Sequence, residues 1–295
     1  QVNFSSSGSH QIEAVFGGCG RTKASENQVS ITNGKFDSQL IYGGLSESAA
    51  DNNKVSIGGT ADITLTTAGP GGDGIYGGCA DGQSGTAKEN QVIFNGGTVR
   101  GAQFIAGGEA DNVVDNQISI SDGKLENNMV MVGGYGSTRA QGNVVSVDGK
   151  ADIAGGYAKT AESNQVSIGQ DASVTAIAVG GGAGETVSHN LADVRGTVTS
   201  YLLGGGGAYD DSWDSSGVFG NVLNLNGAKL IPIQKDQALS MVKDTVGDGY
   251  EEDVNQILQL LKNPGETIQA AGGALYQGGN AQDNMVNLSG TMDLG

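Results

Sequence analysis

An asparagine followed by apolar residues at alternate positions returns along the whole chain, and no other feature restricts the fold as much. Its copies stand at Asn27, Asn53, Asn90, Asn116, Asn143, Asn164, Asn190, Asn221 and Asn284, with separations of 26, 37, 26, 27, 21, 26, 31 and 63 residues. Two and four residues on, every copy is apolar, as in Val29 and Ile31, Val55 and Ile57, or Val92 and Phe94, while the residue between is usually polar or small. That alternation is the signature of a strand with one face in and one face out. A glycine follows six or seven residues after nearly every asparagine, as at Gly34, Gly59 and Gly123, and is expected to mark the turn ending the strand.

A second apolar stretch then runs into a glycine pair, as in "LIYGG", "GIYGG" and "FIAGG", and a tail of small polar residues leads to the next asparagine. A unit of about 26 residues made of short strands cannot bury an apolar face alone. Wound so that each unit sits on the last, it pairs every strand in parallel with its equivalent and stacks the inward residues into columns. The pattern therefore predicts an all-β fold, a right-handed parallel β-helix (a solenoid) of about ten courses, rising about 4.8 Å per course. In such a coil the asparagines form a structural ladder. Asparagine tolerates left-handed backbone at a corner, bonds the local backbone, and pairs amide to amide along a stack.

Breaks in the repeat mark loops, where binding usually resides. One long unit carries "TTAGPGGDG" at 66–74. Another carries "GAYDDSWDSSG" at 207–217, a possible binding loop in which Trp213, the single tryptophan, lies among Asp210, Asp211 and Asp214. Trp213 either serves as a recognition residue or folds back over the edge of the coil. The largest break places Tyr250, Val254, Ile257, Leu258 and Leu261 on one helical face. Acidic residues crowd the first turn of that helix and Lys262 stands in its last, as the helix dipole prefers. Residues 1–230 are thus expected to form the β-helix, 231–268 an inserted helical hairpin, and 269–295 the last courses of the same domain. The hairpin either caps apolar surface or offers a knob to a partner.

Chemistry is sparse. With a formal charge of −17, the surface repels phosphate, so nucleic acid and anionic lipid are poor partners. No apolar run approaches the roughly 20 residues that span a bilayer, so the chain is not expected to be membrane-embedded. His10 and His189 stand in unrelated surroundings, and no nucleophile elbow, phosphate loop or metal-ligand spacing occurs, so neither a cofactor nor a metal is expected. The best carboxylate cluster is Asp210, Asp211 and Asp214, which keeps a polysaccharide-acting enzyme as the least favoured of three functions. Cys19 and Cys79 each follow a glycine pair, two courses apart with Leu45 between. Two steps of about 4.8 Å exceed the roughly 7 Å that a disulfide bridges, so two free, partly buried thiols are expected.

Units of the form N-x-V-x-I-x-G-G … I-Y-G-G, joined by small polar residues, resemble the passenger regions of bacterial autotransporters (type V secretion). The resemblance covers nearly the whole chain except 231–268 and rests on repeat style, with no catalytic signature in it. It implies a rod pushed through an outer membrane and displayed outside a Gram-negative-type cell. There it would act as an adhesin or spacer toward a host or neighbouring-cell surface protein or glycan, or by self-association. The alternative is a structural subunit stacking end to end into a filament or surface layer. The chain stops in mid-course at "TMDLG", so it is expected to be a piece of a longer protein or a rod completed by a neighbour.

Overall fold

Alternating apolar and polar residues with glycine-rich corners give strands almost everywhere. The computed structural model describes residues 1–66, 74–102, 104–126, 130–147, 149, 150, 152–176, 178–208, 217–234, 236, 237, 240, 268–275, 279–291, 293 and 294. These contain thirty strands. Twenty-five belong to one large, nearly closed sheet and five to a second. Strand pairing is parallel in both sheets, and almost no helix is present among the described residues. The arrangement fits a β-helix or solenoid.

Each strand lies on its counterpart one repeat away. Val29 pairs with Val2 on one side and Val55 on the other, Val55 with Val92, and Val92 with Ile118. The column continues through Val145, Val166, Ala192 and Leu223 to Val286. A second column runs through Ile31, Ile57, Phe94 and Ile120. A third, of small residues, runs through Ala24, Ala50, Ala87, Val113 and Ala140. Val55, Ile57 and Val92 are 0% exposed. Each such side chain contributes about 1.5–3 kcal/mol of burial, summed along columns instead of around one centre.

Three expectations need correction. The glycine after each apolar pair does not end the strand in the first courses. The strand Gln28–Ser46 runs through Gly34, and Lys54–Leu65 through Gly59, with a slip in register at each bend. Backbone at φ +106° and +59° lets the ribbon turn there while keeping its ladder. The left-handed corner residue is not the ladder asparagine but the one before it: Glu26, Asn52, Glu89, Asp115, Gly142, Ser163, His189, Gly220 and Asp283 all have φ between 54° and 65°. The expected helical hairpin, 231–268, is not seen among the described residues, and residues 231 and 232 of that range lie in the strand Lys229–Pro232, which pairs with Thr197–Ser200. Asp236, Gln237 and Ser240 are helical, and the longer helix expected around Tyr250 to Leu261 lies outside the described residues.

Candidate functional site

From Asn53 to Asn221 the ladder asparagines are 0% exposed. Each Nδ2 donates one hydrogen to Oδ1 of the next asparagine at 2.9–3.0 Å. From Asn53 on, it donates the other to a carbonyl on the previous course at 2.7–3.3 Å, such as that of Ala87 for Asn116. The backbone N–H of each asparagine also donates to the next Oδ1, at 2.8–3.1 Å. Every polar atom of an interior carboxamide is thus engaged within the column, as burial requires.

The glycine pairs make room for this ladder. A Cβ on Gly44 would sit 2.5 Å from Cγ of Asn53, and the second glycine of every pair, from Gly18 to Gly273, meets its own course's asparagine in the same way. A Cβ on the first glycine, Gly43, would strike the Gly77 carbonyl of the next course at 2.2 Å. The pair and the asparagine therefore form one unit, repeated because no side chain fits at either glycine.

The outer face beside those glycines carries a row of rings. Phe16, Tyr42 and Tyr76, each just before a pair, stack with centroids 5.5 and 4.9 Å apart. Ala106 takes the next place in that column, and the row passes sideways to Phe104, 6.4 Å from Tyr76. It then passes to Tyr135, edge-on at 4.9 Å, and Tyr157, stacked at 5.3 Å. Tyr135 and Tyr157 are 36% and 38% exposed. Below them the column is filled by Ala183 and Gly207, and the column beside it by Gly180 and Gly204. With no bulk in those places, the face sinks into a trough of about 380 Å³, walled by Phe104, Tyr135 and Tyr157 and lined almost wholly by apolar atoms.

Above Tyr135 in the same column lies Glu109, and above that Cys79, whose Sγ is 4.0 Å from the Glu109 carboxylate. Burial, with Asp81 adding like charge, raises the Glu109 carboxyl above the usual glutamate range. Burial also pushes up the Cys79 thiol, and Glu109 and Asp81 add to the shift. The Tyr42 hydroxyl is raised by burial first and by Cys79 next. All three are driven toward their neutral forms, so Cys79 is a poor nucleophile.

The cysteines are both free, with Leu45 between them in the register. Their burial is unequal. Cys79 is buried between Leu45 and Glu109, whereas Cys19 pairs with Leu45 and is exposed. Asp210, Asp211, Trp213 and Asp214 lie outside the described residues, as do 67–73 of the other loop. Among the described residues, no group of three or more His, Cys, Asp or Glu side chains could hold a metal ion, and no helix is long and apolar enough to cross a membrane. The spacing of the asparagines gives no hint of the aromatic row. Its available signal was the residue before each glycine pair: Phe16, Tyr42 and Tyr76 in three successive courses. Compared with known protein families, characterised proteins and solved structures, the chain matches none.

Proposed function

We propose that the chain is a right-handed parallel β-helix of about ten courses, of the kind found in autotransporter passengers. It is displayed outside a Gram-negative-type cell and acts without catalysis as an adhesin or spacer. The observation that carries this reading is the unbroken stack. One column of paired strand positions and one amide column run from Asn27 to Asn284, a construction that builds length and outward faces. Contacts with a host or neighbouring-cell protein or glycan fall to the outer faces and to the loops at 66–74 and 207–217. The test is to fuse residues 1–295 to an outer-membrane translocator and measure adherence to host cells and to a glycan panel. Adherence above that of the translocator alone is expected, and its absence, with the rod visible at the surface, would remove the adhesin half of the reading.

A second reading, self-association by end-to-end stacking, draws on the last course. Val286 and Leu288 continue the inward columns yet are 38% and 67% exposed, so a further course, whichever chain supplies it, would cover them. Sedimentation across a range of concentrations separates the two: a fixed mass counts against stacking.

A further inference from the structure

We propose that Tyr135 and Tyr157 form a cross-linking site, where a one-electron phenol oxidant, a haem peroxidase acting with peroxide, joins two courses of the coil by a dityrosine bond. The strand register carries the inference. Tyr135, in the strand Val130–Gln141, pairs directly with Tyr157, in the strand Asp152–Tyr157, which sets their backbones one strand spacing apart, about 4.8 Å. Their rings stack with centroids 5.3 Å apart and planes 10° from parallel. The row holds a second tyrosine pair, Tyr42 and Tyr76, closer still at 4.9 Å. Phe104 stands between the two pairs and has no phenolic oxygen to oxidise. Exposure to an oxidant distinguishes them. Tyr76 is buried, as is Tyr201, whereas Tyr135 and Tyr157 are exposed. Burial also favours the protonated Tyr42 hydroxyl, and a phenol must release that proton to be oxidised.

Each hydroxyl gives up one electron and its proton, leaving a radical whose spin lies partly on the ring carbons beside the oxygen, Cε1 and Cε2. Two such radicals couple by forming a Cε–Cε bond. The hydrogen on each joined carbon then moves, as a proton, to the phenolic oxygen of its own ring. Two electrons and two protons leave in all, and one hydrogen peroxide takes them up to become two waters. The trough of about 380 Å³ alongside both rings gives them room to turn from stacked to edge-to-edge as the bond closes. Held as neighbours, the two radicals meet far more often than radicals on separate chains. The bond staples two successive courses and restricts the unfolded chain as a disulfide does, in a protein whose two cysteines are free. This site stands independently of surface display, because it needs only the folded rod.

The test treats the full chain, in dilute solution, with a haem peroxidase and hydrogen peroxide. Dityrosine fluorescence should appear in the monomeric fraction, with a yield per chain that does not change on dilution. Mass spectrometry of a tryptic digest should find residues 125–139 joined to 151–159 with the loss of two hydrogens. Tyr135→Phe and Tyr157→Phe each keep the ring and its stacking, yet either should abolish this product, whereas Tyr42→Phe should leave it unchanged. The joined chain should unfold at a higher urea concentration than the untreated one. A bond mapped instead to Tyr42 and Tyr76, or a product that persists in Tyr157→Phe, would overturn the choice of site. Fluorescence confined to chain-to-chain dimers would overturn the link within the rod, and an unmoved urea midpoint would overturn its role as a staple.

Discussion

Replacing Asn116 by alanine removes four hydrogen bonds from one place in the interior. Its Oδ1 accepts from the Asn90 backbone N–H at 3.0 Å and from Asn90 Nδ2 at 2.9 Å. Its Nδ2 donates to Asn143 Oδ1 at 3.0 Å and to the Ala87 carbonyl at 2.9 Å. The Asn143 oxygen keeps a partner, the Asn116 backbone N–H at 3.0 Å. Asn90 does not fare as well. Two of its donors are left without acceptors in a residue that is 0% exposed. At about 1–3 kcal/mol for each stranded donor, the loss is about 2–6 kcal/mol, a large share of the roughly 5–15 kcal/mol that holds a typical fold together. Asn287 supplies the control. It makes a like bond to Asn224 at 2.9 Å, but on an exposed site, so Asn287→Ala should change stability by no more than about 0.5 kcal/mol. Urea unfolding followed by circular dichroism measures both. Hydrogen exchange at the Asn90 and Asn116 amides tells whether the damage stays within neighbouring courses, as expected for stacked repeats. If Asn116→Ala costs less than about 1 kcal/mol, or no more than Asn287→Ala, the buried ladder is not the stabilising element described above.

The glycines divide into two classes that a pair of alanine variants should separate. Gly44→Ala drives a methyl into the Asn53 carboxamide and should cost about 1–3 kcal/mol or more, whereas Gly180→Ala enters open space and should be neutral or stabilising by up to about 1 kcal/mol; thermal melts compare them directly. The raised Glu109 means that the folded chain holds that proton more tightly than the unfolded chain does. Its contribution is therefore complete below the ordinary glutamate value of about 4.3 and is lost as pH rises through the higher folded value. Glu109→Gln should then raise the unfolding midpoint at pH 7 and make no difference at pH 4, and a destabilised variant at pH 7 would contradict the assignment. N-Ethylmaleimide should modify the exposed Cys19 in the native protein and Cys79 only after denaturant is added, with mass spectrometry counting one adduct and then two.

How much of this was legible in the sequence depended on whether a residue keeps its place from course to course. Val29, Val55 and Val92 could be stacked on paper because parallel pairing forces the same kind of side chain to the same height. The asparagine column was legible for the same reason, but its corner was misplaced by one residue. The left-handed position accepts Glu26, Asn52, Ser163 or His189, so it leaves no consensus to read. The glycine pair was visible as a repeat, but only three-dimensional proximity reveals that its second member lies against the asparagine side chain. The aromatic row escaped because it drifts across the face, from before the pair at Tyr76 to three residues before it at Phe104 and after it at Tyr135. An alignment at fixed offset cannot follow a feature that changes column.

The ladder of carboxamides has a consequence for direction. From Asn27 to Asn221 each Nδ2 gives one hydrogen to the Oδ1 on the higher-numbered course, while from Asn53 on the other goes back to a carbonyl on the lower-numbered one, so the amide-to-amide bonds all run one way. Chains of hydrogen bonds aligned in this way polarise one another. The amide column therefore has a direction, an Oδ1 accepting from the lower-numbered neighbour and an Nδ2 donating on to the higher-numbered one. A course presented upside down would set N–H against N–H and be rejected.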